Sequence, residues 1–130
     1  MTRISDLLAA RSGPALSVEF FPPKTEAGEA QFRRTIEDLS VLDLTFISVT
    51  YGAGGSTRDR TRDLVVELNA SRPYPVMAHL TCIGHTRAEL EELLEDYDRN
   101  GVHNILALAG DPTADGSPAT GDFAYASELV

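Results

Sequence analysis

Four times along the 130 residues a short β-rich run gives way to a helical stripe, and each run meets its loop at a polar residue. Those residues are Glu19, Thr50, His79 and Asp111, spaced 31, 29 and 32 apart, close to one strand-plus-helix unit each. The units share no convincing sequence identity, so the period is structural and not an obvious repeat. Parallel strands joined by right-handed crossovers carry their C-terminal ends on one edge of the sheet. In a β/α barrel that edge holds the active site. The pattern predicts an α/β fold in which four unrelated loops bring Glu19, Thr50, His79 and Asp111 to one place. An open doubly wound sheet is the competing architecture, and it usually carries a glycine fingerprint directly after its first strand. Here that position holds Phe21-Pro22-Pro23, and the glycines follow the second strand.

In chain order, Ile4, Leu7 and Leu8 predict a short helix over 3–11, ended by Gly13-Pro14. Leu16, Val18 and Phe20 alternate as in a strand closed by Pro22-Pro23. Residues 26–42 read as a helix on the stripe Phe32, Ile36 and Leu39. The β-rich run 45–50 enters Tyr51-Gly52-Ala53-Gly54-Gly55, which only a loop tolerates. Ser56 and Asp59 read as a capping box for a helix to about Asn69, with Thr61, Leu64, Val65 and Leu68 inward. Arg72-Pro73-Tyr74-Pro75 breaks that helix, and 76–81 is a third strand, apolar on both faces. Thr86 and Glu89 form a second capping box, Leu90, Leu93, Leu94 and Tyr97 a clear stripe, and Asn100-Gly101 a stop. Residues 104–109 make the fourth strand, 113–122 a long loop, and a helix begins at Phe123.

Composition narrows the function classes. With 20 Asp+Glu against 11 Lys+Arg and a net charge of −9, nucleic acid and anionic membranes are poor partners. No run approaches the roughly 20 apolar residues that span a bilayer. The first six residues lack the long apolar segment of a signal peptide, so a cytoplasmic protein is expected. Cys82 is the single cysteine, which excludes an internal disulfide; it reads as a buried loop thiol. His79, His85 and His103 match no known zinc spacing, and no metal is expected.

Several groups could do chemistry. Glu19 sits beside large apolar residues, which is costly unless it is exposed, paired or used, and such a setting suits a proton donor. A solvated, loop-proximal glutamate is the plainer reading. Asp111, between Gly110 and Pro112, is either a turn former or a group that tunes a cofactor or holds a polar substrate. The stretch 52–57 feeds a helix N-terminus whose amides can hold an anion, or makes a tight turn. It lacks the Gly-Lys-Ser/Thr ending of a phosphate-binding loop, so nucleotide hydrolysis is not expected. His79 is a core histidine bonded to a backbone carbonyl or a cofactor contact.

Four blocks carry a resemblance. They are Ser17-Val18-Glu19-Phe20-Phe21-Pro22-Pro23-Lys24, Ser48-Val49-Thr50-Tyr51-Gly52-Ala53-Gly54-Gly55-Ser56, Ala78-His79-Leu80-Thr81-Cys82, and Asn104 to Leu108 with Gly110-Asp111-Pro112. In this order they resemble methylenetetrahydrofolate reductases over nearly the whole chain. The resemblance implies a (β/α)8 TIM barrel of which residues 1–130 supply the first four units, ending within the fourth helix. It implies reduction of 5,10-methylenetetrahydrofolate to 5-methyltetrahydrofolate with NADH or NADPH through FAD, for methionine synthesis. It further implies Glu19 as general acid and Asp111 beside both pterin and flavin. Thr50, Tyr51, Ala53, His79, Leu108, Ala109, Gly110 and Asp111 would line the flavin. A folate substrate and a homo-oligomer are the implied partners.

This sequence departs from the family pattern in two ways. Arginine usually stands before Gly110-Asp111, where it meets the cofactor's phosphate region; here the residue is Ala109. Alanine cannot replace a guanidinium's charge-assisted hydrogen bonds, so weaker flavin retention is expected. The chain is also shorter than the family's catalytic chain and reads as a fragment or truncated product. Half a barrel leaves an edge strand and an inner face uncovered. Two alternatives follow: a flavin-independent folate reductase of the same fold, or a non-catalytic partial barrel that self-associates.

Overall fold

The computed structural model describes residues 2–51, 58–111, 115–116 and 121–130. Four strands, β1 (Ser17–Phe20), β2 (Phe46–Val49), β3 (Val76–Thr81) and β4 (Asn104–Leu108), form one sheet. All neighbours pair in parallel and the strand order is β1-β2-β3-β4. Sheet order follows chain order with no reversal, as in a barrel wall; a doubly wound sheet reverses at its switch point. The chain is a partial TIM barrel of four βα units.

Helices α1 (Ile4–Ala10), α2 (Glu26–Asp38), α3 (Arg58–Ser71) and α4 (Arg87–Arg99) complete the frame. The crossover helices all cover one face. Val18, Phe20, Ile47, Val49, Val76, Ala78 and Ile105 point there and pack with Phe32 and Ile36 of α2, Leu64, Val65 and Leu68 of α3, and Tyr97 of α4. A second cluster, Leu80, Cys82, Leu90 and Phe123, continues this layer at the C-terminal end of β3. Strand alternation sends Glu19, Ser48, Thr50, His79, Thr81, Leu106 and Leu108 to the opposite face. None of them belongs to either cluster.

Local signals account for the element ends. Thr25 caps α2 by accepting the Gly28 amide, and Thr86 and Glu89 form the expected capping box on α4. Gly101, at φ +75°, makes the left-handed stop after α4. The Ser56–Asp59 capping box and most of the 113–122 loop lie outside the described residues. Across the outer surface Arg33 pairs with Glu67, Arg72 with Glu37 at 2.7 Å, and Arg62 with Asp96 at 2.5 Å. Arg33–Glu67 lies exposed and the other two pairs are partly buried; exposed pairs of this kind contribute about 0–1 kcal/mol.

Two expectations are corrected. The α-helix over 26–42 stops at Asp38 and tightens into a 3-10 turn, Leu39–Val41. The end of the chain forms a 3-10 turn, Ala126–Leu129, and not an α-helix from Phe123. There the Glu128 carboxylate accepts the Ala124 and Tyr125 amides, both at 2.7 Å, and Phe123 is buried as an anchor. That reach-back is an N-cap contact, so the turn begins after Tyr125, and Phe123 and Ala124 lie outside it.

The N-terminus is tied to the last strand. Asn104 accepts the Ile4 amide through Oδ1 at 2.9 Å and donates through Nδ2 to the Thr2 carbonyl at 3.0 Å. Ile4 is buried at this contact.

Ile36 is 0% exposed in the main cluster, so Ile36→Ala should cost about 2–5 kcal/mol. The Tyr97 hydroxyl is buried with no hydrogen-bond partner among the described residues, so Tyr97→Phe should be neutral or stabilising. Urea denaturation of both variants checks the pair. A large loss in Tyr97→Phe would mean that hydroxyl is bonded.

Candidate active site

Cross-strand register assembles the polar face. Glu19 on β1 is opposite Ser48 on β2. His79 lies two residues beyond Met77, which Ser48 faces on β3, and so shares that face. Ser48 Oγ donates to Glu19 Oε2 at 3.3 Å. His79 Nε2 approaches the same oxygen at 3.2 Å, within ion-pair reach but without hydrogen-bond alignment. The His79 side chain is 9% exposed and that of Glu19 50%. Both contacts to Glu19 fall on Oε2; Oε1 makes none among the described residues.

The setting of Glu19 differs from the sequence expectation. Its apolar neighbours Val18 and Phe20 turn to the helix side, while Glu19 meets a serine and a histidine. Adjacency along a strand is not adjacency in space. Nor is His79 Nε2 bonded to a backbone carbonyl; it is buried with no hydrogen-bond partner among the described residues.

The other predicted positions divide. Thr50 extends the ladder past β2, its amide donating to the Phe20 carbonyl at 2.9 Å and its carbonyl accepting from Thr61 Oγ1 at 3.4 Å. Leu108 closes β4 opposite Thr81. The Ala109 carbonyl accepts from the Ile83 amide at 3.1 Å and from Cys82 Sγ at 3.3 Å. Gly110 turns the chain at φ +94°, where a Cβ would stand 2.4 Å from Ile83 Cγ2. Asp111 is exposed beyond that turn, and no hydrogen bond or ion pair joins it to Glu19, Thr50 or His79 among the described residues. Ala53 lies outside the described residues.

Tyr51 is placed differently. Its ring packs against the second apolar cluster, and its hydroxyl lies 2.8 Å from His85 Nε2. Arg58 Nη2 contacts His85 Nδ1. Glu89 stands 3.8 Å from Nδ1 and 3.9 Å from Arg58. Burial, reinforced by the Arg58 charge, lowers the His85 pKa against a smaller opposing pull from Glu89. Burial raises the Tyr51 pKa, partly offset by Arg58. Cys82 is fully buried, and burial raises its thiol, which marks it as inert packing.

Two features escaped the sequence reading. Ser48 was visible in principle, since alternation places it on the face of Thr50. The Tyr51–His85–Arg58 cluster joins three segments and had no local signal. Among the described residues no group of three His, Cys, Asp or Glu could hold a metal, and no helix is long and apolar enough to cross a membrane.

A family model described as methylenetetrahydrofolate reductase matches residues 3–130. The chain belongs to the methylenetetrahydrofolate reductase family. It is 41% identical over 116 residues to the 5,10-methylenetetrahydrofolate reductases of Salmonella typhimurium and Escherichia coli, covering 88% of this chain and 38% of each relative. Methylenetetrahydrofolate reductase (NADH) 1 of Arabidopsis thaliana is 38% identical over 119 residues, 89% of this chain and 20% of that protein. The chain thus spans well under half the length of the curated relatives it matches. Within this reductase-family framework, Glu19, Ser48 and His79 form the contacting set on the open face.

Gly110→Ala should destabilise the fold by about 1–3 kcal/mol, since both φ and the Ile83 contact oppose a side chain. Thermal melting checks this, and Ile83→Ala should recover only the steric part. A second expectation concerns pH. The unfolded chain takes up a histidine proton near its ordinary value of about 6.5, whereas folded His85 holds off protonation until lower pH. Stability should therefore fall as pH drops from about 6.5 toward the lowered folded pKa, and His85→Gln should flatten that slope in urea titrations. An identical slope in the variant would rule His85 out as the source.

Proposed function

We propose that the protein carrying this sequence reduces 5,10-methylenetetrahydrofolate to 5-methyltetrahydrofolate with NADH or NADPH. In this reading residues 1–130 form the N-terminal half of the catalytic barrel. The observation that carries it is the meeting of Glu19, Ser48 and His79 on the face the helices leave open, in a chain of this family. FAD, when bound, supplies the hydride relay between nicotinamide and folate.

The residues fit such a group. His79 Nε2 is buried without a hydrogen-bond partner among the described residues, and a polar-edged ring could satisfy it. Thr50, Leu108, Ala109 and Gly110 continue the same strand ends, with Tyr51, Ala53 and Asp111 as the remaining cofactor positions. Glu19 is the general acid that helps open the folate's five-membered ring. Ser48 holds Oε2 and leaves Oε1 free to deliver the proton. Asp111, exposed on the same edge, adjusts the electrostatics around pterin and cofactor.

Ala109 favours a second reading within the same fold, in which the nicotinamide gives hydride to folate directly. A flavin absorbance spectrum of the purified protein separates the two.

Glu19→Gln should lower methylenetetrahydrofolate reduction by about 10²-fold or more while leaving NADH oxidation by menadione through FAD largely intact. The two half-reactions, measured separately, check this. Equal losses in both would remove Glu19 from the proton-donor role.

A further inference from the structure

We propose that Asn100 is a self-modification site, deamidated by its own backbone, that the fold holds closed and that opens when the last turn of α4 unwinds. Asn100 is exposed to water and is followed by Gly101, which brings no side chain to hinder approach to its backbone nitrogen. The other two asparagines, Asn69 and Asn104, precede Ala70 and Ile105, whose side chains obstruct that approach.

The chemistry needs only water and hydroxide. Base takes the Gly101 amide proton, and the nitrogen attacks Asn100 Cγ. An N–Cγ bond forms, the Cγ–Nδ2 bond breaks, and ammonia leaves. Water then adds across either C–N bond of the cyclic imide. The products are aspartate and isoaspartate, each carrying one more negative charge than asparagine, with no change in oxidation state.

In the folded chain both reacting groups are engaged. Asn100 Nδ2 donates to the Asp96 carbonyl at 2.8 Å and reaches the Asp96 carboxylate at 3.4 Å. The Gly101 amide, which must become the nucleophile, donates to the Asp98 carbonyl at 3.0 Å. The Gly101 carbonyl accepts from Asn69 Nδ2 at 3.0 Å, and the next amide, of buried Val102, donates to the Tyr97 carbonyl at 2.9 Å. Asn100 ψ is 11°, which turns the Gly101 nitrogen away from Cγ. Closing a five-membered ring requires that torsion to rotate and these bonds to break. Helix ends open far more readily than whole domains, so unwinding the last turn frees the site without global unfolding.

Once reacted, the turn cannot close as before. A carboxylate cannot donate to the Asp96 carbonyl. It also stands beside Asp96 and Asp98 at a helix C-terminus, where an anion is disfavoured. Arg62 at 2.5 Å and Arg99 at 3.6 Å already serve Asp96, and His103 at 3.1 Å serves Asp98. Isoaspartate adds a methylene to the main chain as well, just before the left-handed turn at Gly101. The modification therefore leaves the junction of α4 and β4 permanently looser.

The unsubstituted protein is held at pH 8 in buffer and in urea, and the peptide containing residue 100 is followed by mass spectrometry. In unfolding urea Asn100 should deamidate as fast as a short unstructured peptide of the same sequence. In buffer it should react at least about tenfold more slowly. Urea too dilute to unfold the protein should barely change the native rate, because a local opening exposes little surface. Asn100→Asp should melt about 4 °C lower, and the deficit should shrink in high salt. A native rate equal to that of the peptide overturns the closed site, and a native rate that tracks global unfolding overturns the local opening. No reaction in unfolding urea removes the site altogether. An unchanged melting temperature in Asn100→Asp overturns the lasting loosening.

Discussion

One-sided helix packing governs this molecule. Each crossover helix packs on the same face of the sheet, so every strand residue is sorted by parity alone. Val18, Ile47, Val49, Val76 and Ala78 go to the helices and form the core. Glu19, Ser48, Thr50 and His79 go to the other side. A carboxylate and an imidazole can then meet at 3.2 Å without either entering the apolar layer. Apolar packing and polar chemistry share the same short strands but not the same space.

That sorting explains what was legible beforehand. Strands and crossover helices were readable because their signals are local: alternation, the Phe32/Ile36 and Leu64/Leu68 stripes, and the Thr86/Glu89 capping box. Convergence of Glu19 and His79 was readable from topology, since parallel strands share an edge. The partners of each group were not. Ser48 reaches Glu19 through register, which sequence fixes only indirectly. Tyr51 leaves the face of Thr50 for His85, because neighbouring residues at a strand end point in opposite directions. The chain's last turn was misread because Glu128 caps it at Tyr125, which starts the turn after Phe123 and not at it.

The C-terminal end of β4 combines a rigid backbone with an uncharged side chain. Gly110 must be glycine, for both its φ of +94° and the closeness of Ile83. Its neighbour Ala109 uses its carbonyl to bind Ile83 and Cys82, which fixes the backbone and leaves the methyl exposed. The backbone of the strand end is therefore held firmly at an uncharged residue. Arg58, on α3, directs its guanidinium at His85.

The Asn104 clasp has a consequence for how the chain is made. Its two hydrogen bonds join Ile4 and Thr2 to a side chain about a hundred positions later. During synthesis at roughly 5–20 residues per second, α1 emerges many seconds before its anchor exists. A seven-residue helix is too short to persist alone in water, so this segment stays unstructured until β4 joins the sheet. A helix that precedes all four strands is thus among the last of the described elements to settle. Its docking reports that the fourth strand has arrived.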